Sequence, residues 1–357
     1  MRHSVFVSED ENMGCGLLDG PRGRLLCFSI LQKMLARQTE GTRLLQSEQD
    51  LYVDLKAELN NMRHADLLKM VTNLTQSELL LMIAATVSQA VYWQPPESIE
   101  KVLQRSEIIL GMQPLAVLLD NKIEVISTLL NGPNSKQYLT RHSLKGVVDD
   151  GATIELAEIR KSDSWSEWLA NELSAELAYS TSLGRRNRSG TWWSTPIGSG
   201  VMSSTGSVES VPIGLYMVED DFDWNSAETW SLSIEPDCRI FDVNCPIDWQ
   251  ELFSSSAIDV TNSRSDTWNE VVGTKEKWLI PNWKELAEHY DGIHLSLSGY
   301  LTLSGRTLSV GDHKTLLAGW NPDETLWLNN KVHVEGLKTH WMKIGDRDLQ
   351  WAIVDQF

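Results

Sequence analysis

The spacing of apolar positions divides the chain into a helical first part and a strand-rich second part. Residues 24–37 place Leu25, Phe28, Leu31 and Leu35 at helical intervals, and residues 51–62 repeat the pattern through Leu51, Leu55 and Leu59. Thr75 and Glu78 have the spacing of a capping box, which predicts a helix over 79–91. Its first two turns are apolar all round, as suits the central helix of a small bundle. Pro95 and Pro96 forbid its continuation. Ser98 is placed to cap a helix over 99–109, and Gln113 and Pro114 to open a last one ending near Leu130.

From about residue 151 the pattern becomes that of short strands. They are predicted over 153–159 (ending at Arg160), 213–218, 229–234, 239–243, 293–303, 307–310, 315–319 and 325–328. Three helices interrupt them. One carries Trp165, Trp168, Leu169 and Leu173 on one face behind Asp163 or Ser164, and two short ones begin at Pro246 and Pro281. The breaker cluster at 131–136 separates a helical bundle domain, 1–135, from a ligand-binding or catalytic domain, 150–357. The fold class is therefore α+β: an N-terminal helical bundle followed by a mainly antiparallel, Trp-rich β-sheet domain with a few short helices. Of 15 tryptophans only Trp93 precedes the boundary, which agrees with two compositions.

Charge sharpens this division. The net charge of -18 falls mostly on the second part, which disfavours an electrostatic hold on nucleic acid or an anionic membrane. Cys15, Cys27, Cys238 and Cys245 show no CxxC spacing, so no metal is expected; Cys238 and Cys245 would meet across a turn, though free thiols suit the pattern better. The acidic N-terminus has no signal-peptide pattern. The longest apolar run, 79–85, is far short of the roughly 20 residues that span a bilayer, so the expectation is a cytoplasmic protein.

One stretch departs from its acidic surroundings. Residues 184–207 hold Arg185, Arg186 and Arg188, the pair Trp192 and Trp193, and a glycine- and hydroxyl-rich run ending in Ser203, Ser204 and Thr205. It reads either as a substrate-binding loop leading into a strand or as a long polar connection, its glycines serving a ligand's approach or a bulge. Arg160, at a strand end, would clamp a phosphate or pair with a local acid. Asp291 would stabilise a developing cation. His294 would act as base or donor, or else sit satisfied in the core. The acidic runs at 219–223 and 346–348 lack an EF-hand pattern and suit solvated turns. No GxGxxG, P-loop, GxSxG or HExxH pattern is present.

The order of strand-end Arg160, the hydroxyl strand Ser203-Ser204-Thr205 and the late acid Asp291 resembles mono-ADP-ribosyltransferases of the Arg–Ser–Glu type, over roughly residues 150–305. In that family the central motif is Ser-Thr-Ser and the late acid belongs to a Glu-x-Glu; here the matching strand reads Ser-Ser-Thr, and no Glu-x-Glu stands immediately before the strand of Asp291. The resemblance implies NAD as substrate. Arg160 would hold its pyrophosphate, Ser203, Ser204 and Thr205 would line the cofactor site, and Asp291 would support the charge that develops as nicotinamide leaves. Arg185, Arg186, Arg188, Trp192 and Trp193 would face the acceptor, as in a toxin or effector. The stretches AVYWQPP, YDGIHLSLSGYLTLSGR and LAGWNPDETLWL are also similar to actinobacterial proteins to which no activity attaches. Two other classes fit the residues. One is a non-enzymatic acidic interaction module (an immunity, antitoxin or phage-defence component) that meets a basic protein partner. The other is a small-ligand sensor whose bundle reports occupancy of the second half.

Overall fold

A computed structural model describes residues 14–36, 47–90, 94–130, 132–134, 136–143, 164–180, 191–197, 200–221, 224–344 and 350–354. Six helices come first: α1 (Pro21–Ala36), α2 (Glu48–Asn61), α3 (His64–Asn73), α4 (Gln76–Ser88), α5 (Ser98–Leu103) and α6 (Ser106–Leu130). The capping box forms as expected: Thr75 Oγ1 accepts the Glu78 N–H at 3.2 Å, and the Glu78 carboxylate accepts the Thr75 N–H at 3.0 Å. The break expected at Pro114 is not there. The chain breaks instead between α5 and α6, and Pro114 lies inside α6. The carbonyl deprived of its partner belongs to Leu110, whose side chain is 74% exposed, so it lies on a face where water can satisfy it. Helix α3 was not anticipated by the sequence pattern.

The second half begins earlier than residue 150. Strand β1 (Gln137–Ser143) follows the short turn at Gly132–Asn134 and is followed by α7 (Ser164–Tyr179). Then come β2 (Met202–Thr205), the small hairpin β3 (Ser207–Val208) and β4 (Val211–Pro212), and β5 (Ser226–Ile234) and β6 (Ile240–Val243). Next are α8 (Pro246–Glu251), β7 (Ala257–Asp259), α9 (Thr261–Val272), β8 (Leu279–Pro281), α10 (Trp283–His289), β9 (Gly292–Leu295) and α11 (Leu297–Leu303). The chain closes with β10 (Thr307–Val310), β11 (His313–Leu316), β12 (Glu324–Trp327), β13 (Val332–Ile344) and β14 (Gln350–Ile353). Eight of the described strands form one sheet in the order β14-β13-β5-β1-β2-β12-β9-β6. All its pairings are antiparallel except β6 with β9. The α+β expectation holds.

Two strand expectations convert to helix for local reasons. The run 293–303 splits because Ser296 turns its hydroxyl to accept the Gly299 N–H at 3.1 Å and caps α11. The run 213–218 opens as a 3-10 turn at Ile213–Leu215. Helix α9 and the paired strands β13 and β14 were also unanticipated.

One apolar core runs through both halves, joining Leu26, Ile83 and Leu119 of the bundle to Trp249, Trp283, Ile293 and Leu301. Five tryptophans are fully buried, and each indole N–H has an acceptor: Trp249 on Thr315 Oγ1, Trp268 on Trp192 O, Trp278 on Asn269 Oδ1, Trp283 on Ser194 O and Trp320 on Glu324 O. Residues 191–197 therefore act as a strap. The strap serves two indoles, through Trp192 O and Ser194 O; Ser194 also exchanges bonds with Ala318, and Thr195 Oγ1 donates to Gly319 O at 3.0 Å.

Beside the strap, Arg264 is wholly buried and sits 2.9 Å from the carboxylate of Glu172 on α7. Removing one member of such a pair leaves an uncompensated buried charge. Arg264→Ala is expected to lower unfolding free energy by about 3–5 kcal/mol in urea titrations, and the double replacement Arg264→Met with Glu172→Leu to recover most of that loss.

Candidate functional site

The pleat of β6, β9, β12 and β2 sets Asp242, His294, Thr325 and Ser204 side by side on one face of the sheet. His294 Nδ1 lies 2.8 Å from Asp242 Oδ1, and its Nε2 lies 3.4 Å from Asp323 Oδ1. Asp323 is held by the Gly206 N–H at 2.8 Å. Ser204 Oγ donates to Gln137 Oε1 at 2.7 Å and accepts from Trp327 Nε1 at 2.8 Å. Gln137 in turn donates to the Gly132 carbonyl at 2.9 Å. The row is buried except at Asp242, whose side chain is 50% exposed. Burial alone would hold the His294 pKa down, but hydrogen bonds to Asp242 and Asp323, together with their charges, outweigh it and raise it. The ring thus sits between two carboxylates, bonded to Asp242 and 3.4 Å from Asp323.

Gly132 closes this row from above. Its φ is +47°, and a Cβ there would stand 2.7 Å from His294 Cε1. With backbone pressed against the ring, no substrate reaches His294, and the row acts as a staple between the interdomain turn and four strands. The core alternative raised for His294 is the one the geometry favours.

Asp291 is committed in a similar way. Its Oδ2 accepts the Arg239 N–H at 2.9 Å and Nε at 3.3 Å, and its Oδ1 accepts from Asn329 Nδ2 at 3.0 Å. Burial would raise its pKa, but these bonds outweigh burial and lower it. Thr205 Oγ1 accepts the Gly214 N–H at 2.9 Å, and Ser203 bonds the Glu324 carboxyl, which burial pushes up in pKa. The hydroxyls of Ser203, Ser204 and Thr205 do alternate across β2, yet each is spent inside the fold. Trp192 and Trp193 belong to the strap and lend their carbonyls to Trp268 and Arg264. Arg160, Arg185, Arg186 and Arg188 lie outside the described residues. Thus Ser203, Asp291 and His294 do not converge on an open cleft, and the ADP-ribosyl arrangement gains no support from them.

An open cleft exists elsewhere. About 560 Å³ of space lies between the first turns of α4 (Gln76, Ser77, Leu80, Leu81) and the β3–β4 hairpin, with Tyr216, Ile344 and Trp351 behind. The hairpin turns through Glu209 and Ser210, both at positive φ (50° and 68°), which sets Glu209 at the rim. Leu81 stays 40% exposed on the opposite wall. The Tyr216 hydroxyl makes no hydrogen bond among the described residues; burial, and then the charges of Asp323 and Glu209, raise its pKa, so it stays a neutral donor. Behind it, His142 stacks on Trp224 at 4.9 Å and meets the Trp351 edge at 5.8 Å. Burial lowers the His142 pKa to about 4, which makes this ring a neutral wall. Among the described lining residues there is no histidine or cysteine; the polar groups are those of Gln76, Ser77, Ser207, Glu209 and Tyr216. No sequence motif announced it, because its walls come from four separate stretches of chain. Nor does any group of three or more His, Cys, Asp or Glu side chains among the described residues stand ready for a metal ion.

The staple has a pH signature. A folded-state pKa above the ordinary histidine value gives stability that is full below that value and is lost as pH rises through the raised one. The stability difference between the native chain and His294→Gln is expected to be largest below the ordinary histidine value and to shrink as pH rises above it in chemical denaturation. Gly132→Ala should cost about 1–3 kcal/mol by the same measurement, through its positive φ and the His294 contact.

No protein-family model, curated protein or solved structure matches this chain.

Proposed function

We propose that the protein is a small-ligand sensor whose ligand occupies the cleft between α4 and the β3–β4 hairpin. The observation that carries this reading is that the cleft is shared: one wall belongs to the helical half and the other to the sheet. A ligand there touches both, so occupancy biases how they pack. The volume of about 560 Å³ falls within the range of small-molecule sites, about 300–1,000 Å³. Leu80, Leu81, Val208, Val211 and Ile344 favour an apolar body, the Tyr216 hydroxyl favours one acceptor on it, and Glu209 favours an electropositive edge. An NAD pyrophosphate would meet Glu209 and neither lysine nor arginine among the described lining residues, so NAD is a poor fit here.

Among the described residues no single helix is long and apolar enough to cross a membrane. The four cysteines are free thiols, and Cys245 has Cys15 as its side-chain neighbour, not Cys238. Unpaired thiols suit a reducing, cytoplasmic setting.

A thermal-shift and saturation-transfer NMR screen of aromatic amines, alcohols and carboxamides, with NAD included, tests the reading. Binders are expected among the amines and carboxamides, with affinity at least about tenfold weaker in Leu81→Arg and about three- to tenfold weaker in Tyr216→Phe. Binders indifferent to Leu81→Arg, or NAD cleaved with release of nicotinamide, would overturn it.

A further inference from the structure

A second cleft, of about 220 Å³, lies on another side of the molecule and is lined by Pro21, Arg24, Gln104, Arg306 and Thr307 together with the end of α9. No described carboxylate lines it, which is a local reversal in a chain of net charge -18. Arg24 is the informative residue. It is only 9% exposed, yet it has no ion pair among the described residues. Its Nη1 donates to the carbonyls of Leu18 at 2.8 Å and Asp19 at 3.1 Å, while its Nε and Nη2 make no hydrogen bond among the described residues.

The neighbouring charges relieve it only in part: the carboxylates of Asp19 and Glu100 favour its charge, while burial and the guanidinium groups of Arg306 and Arg22 oppose it. Arg22 is committed to Glu100 at 3.6 Å, and the Asp19 carboxylate accepts the Gly16 N–H at 2.8 Å without ion-pairing Arg24. Arg306 stands across the cleft, anchored by a bond from its Nη1 to the Gly14 carbonyl at 2.9 Å. Burial first, and then the repulsion of Arg306, lower the Arg24 pKa to about 10. A buried guanidinium facing a second one is costly unless an anion comes between them. The first turn of the 16-residue helix α1 lines this space through Pro21 and Arg24.

We propose that this cleft binds a phosphate group, held by the planar donor forks of Arg24 and Arg306, with Gln104 and Thr307 as neutral donors. Two arginines converging on a compact volume match the geometry of a tetrahedral oxyanion better than that of a planar carboxylate. At about 220 Å³ the space takes a phosphate or a small phosphomonoester, not a dinucleotide.

The experiment is calorimetry and thermal shift on the whole chain with inorganic phosphate, and separately with glycerol phosphate, against sodium chloride of equal ionic strength. Arg24→Gln removes two carbonyl bonds and is a poor test by itself. Arg306→Gln, at a half-buried position, is the decisive variant, with Arg63→Gln as the exposed control. Phosphate is expected to raise Tm beyond the chloride control, with affinity at least about tenfold lower in Arg306→Gln and unchanged in Arg63→Gln. Binding of glycerol phosphate as well assigns a phosphomonoester; binding of inorganic phosphate alone assigns the free anion. A phosphate response equal to that of chloride, or one retained in Arg306→Gln, overturns the proposal.

Discussion

The constraint on which the rest of this structure depends is the close seating of α11 between the two halves. All but one of its seven residues are buried. A Cβ on Gly299 would collide with the Val243 carbonyl, and one on Gly20 would collide with the Leu301 carbonyl. Backbone therefore touches backbone on both sides of a single short helix. One side is the sheet edge at β6, where Ser296 also donates through its N–H and its hydroxyl to Val243 O, at 3.1 and 3.3 Å. The other side is the entry to α1. Only glycine allows this approach, and it is why the bundle and the sheet share one core.

The polar devices follow from that seating. With the halves fixed, the Gly132 turn must pass directly over β9, and the Asp242–His294–Asp323 row converts this crossing into hydrogen bonds and ion pairing. On the far side of the domain the strap at 191–197 does the equivalent for the tryptophans. An indole buried without an acceptor would forfeit part of what its apolar area contributes. Backbone carbonyls of Trp192 and Ser194 are cheap acceptors because a strap without regular pairing has carbonyls to spare.

Much of the helical half was legible in the sequence, because capping and periodicity are local signals. Thr75 and Glu78 lie three residues apart and act within one turn. The mistaken break at Pro114 came from weighing a missing N–H without knowing which face its carbonyl partner took. The run 293–303 misled because apolar residues on both faces fit a buried strand and a buried helix equally; the Ser296 cap was the available discriminator. The site was less legible still. His294 and Asp291 stood out as polar residues beside an apolar run, which is also what a buried staple looks like. The cleft draws on Leu81, Glu209, Tyr216 and Trp351, which no spacing rule connects. The Arg24 site was hidden because a single arginine in an amphipathic helix signals nothing until its neighbours are known.

Helix α1 relates the two clefts to each other. Near its C-terminal end Lys33 pairs with Glu78 at 2.9 Å, and that bond, followed by those from Thr75, lowers the Glu78 pKa to about 2. Glu78 in turn fixes the first turn of α4, from which Gln76 and Ser77 line the shared cleft. At its other end α1 carries Arg24 and meets α11 through Gly20. A stiff 16-residue rod thus has one end beside each cleft and its flank against the helix that seats the two halves. Any free energy by which occupancy of one cleft shifts α1 must appear, with equal size and sign, at the other. On the proposed reading, such a sensor would register two chemically different ligands, one apolar and one anionic, through a single mechanical element.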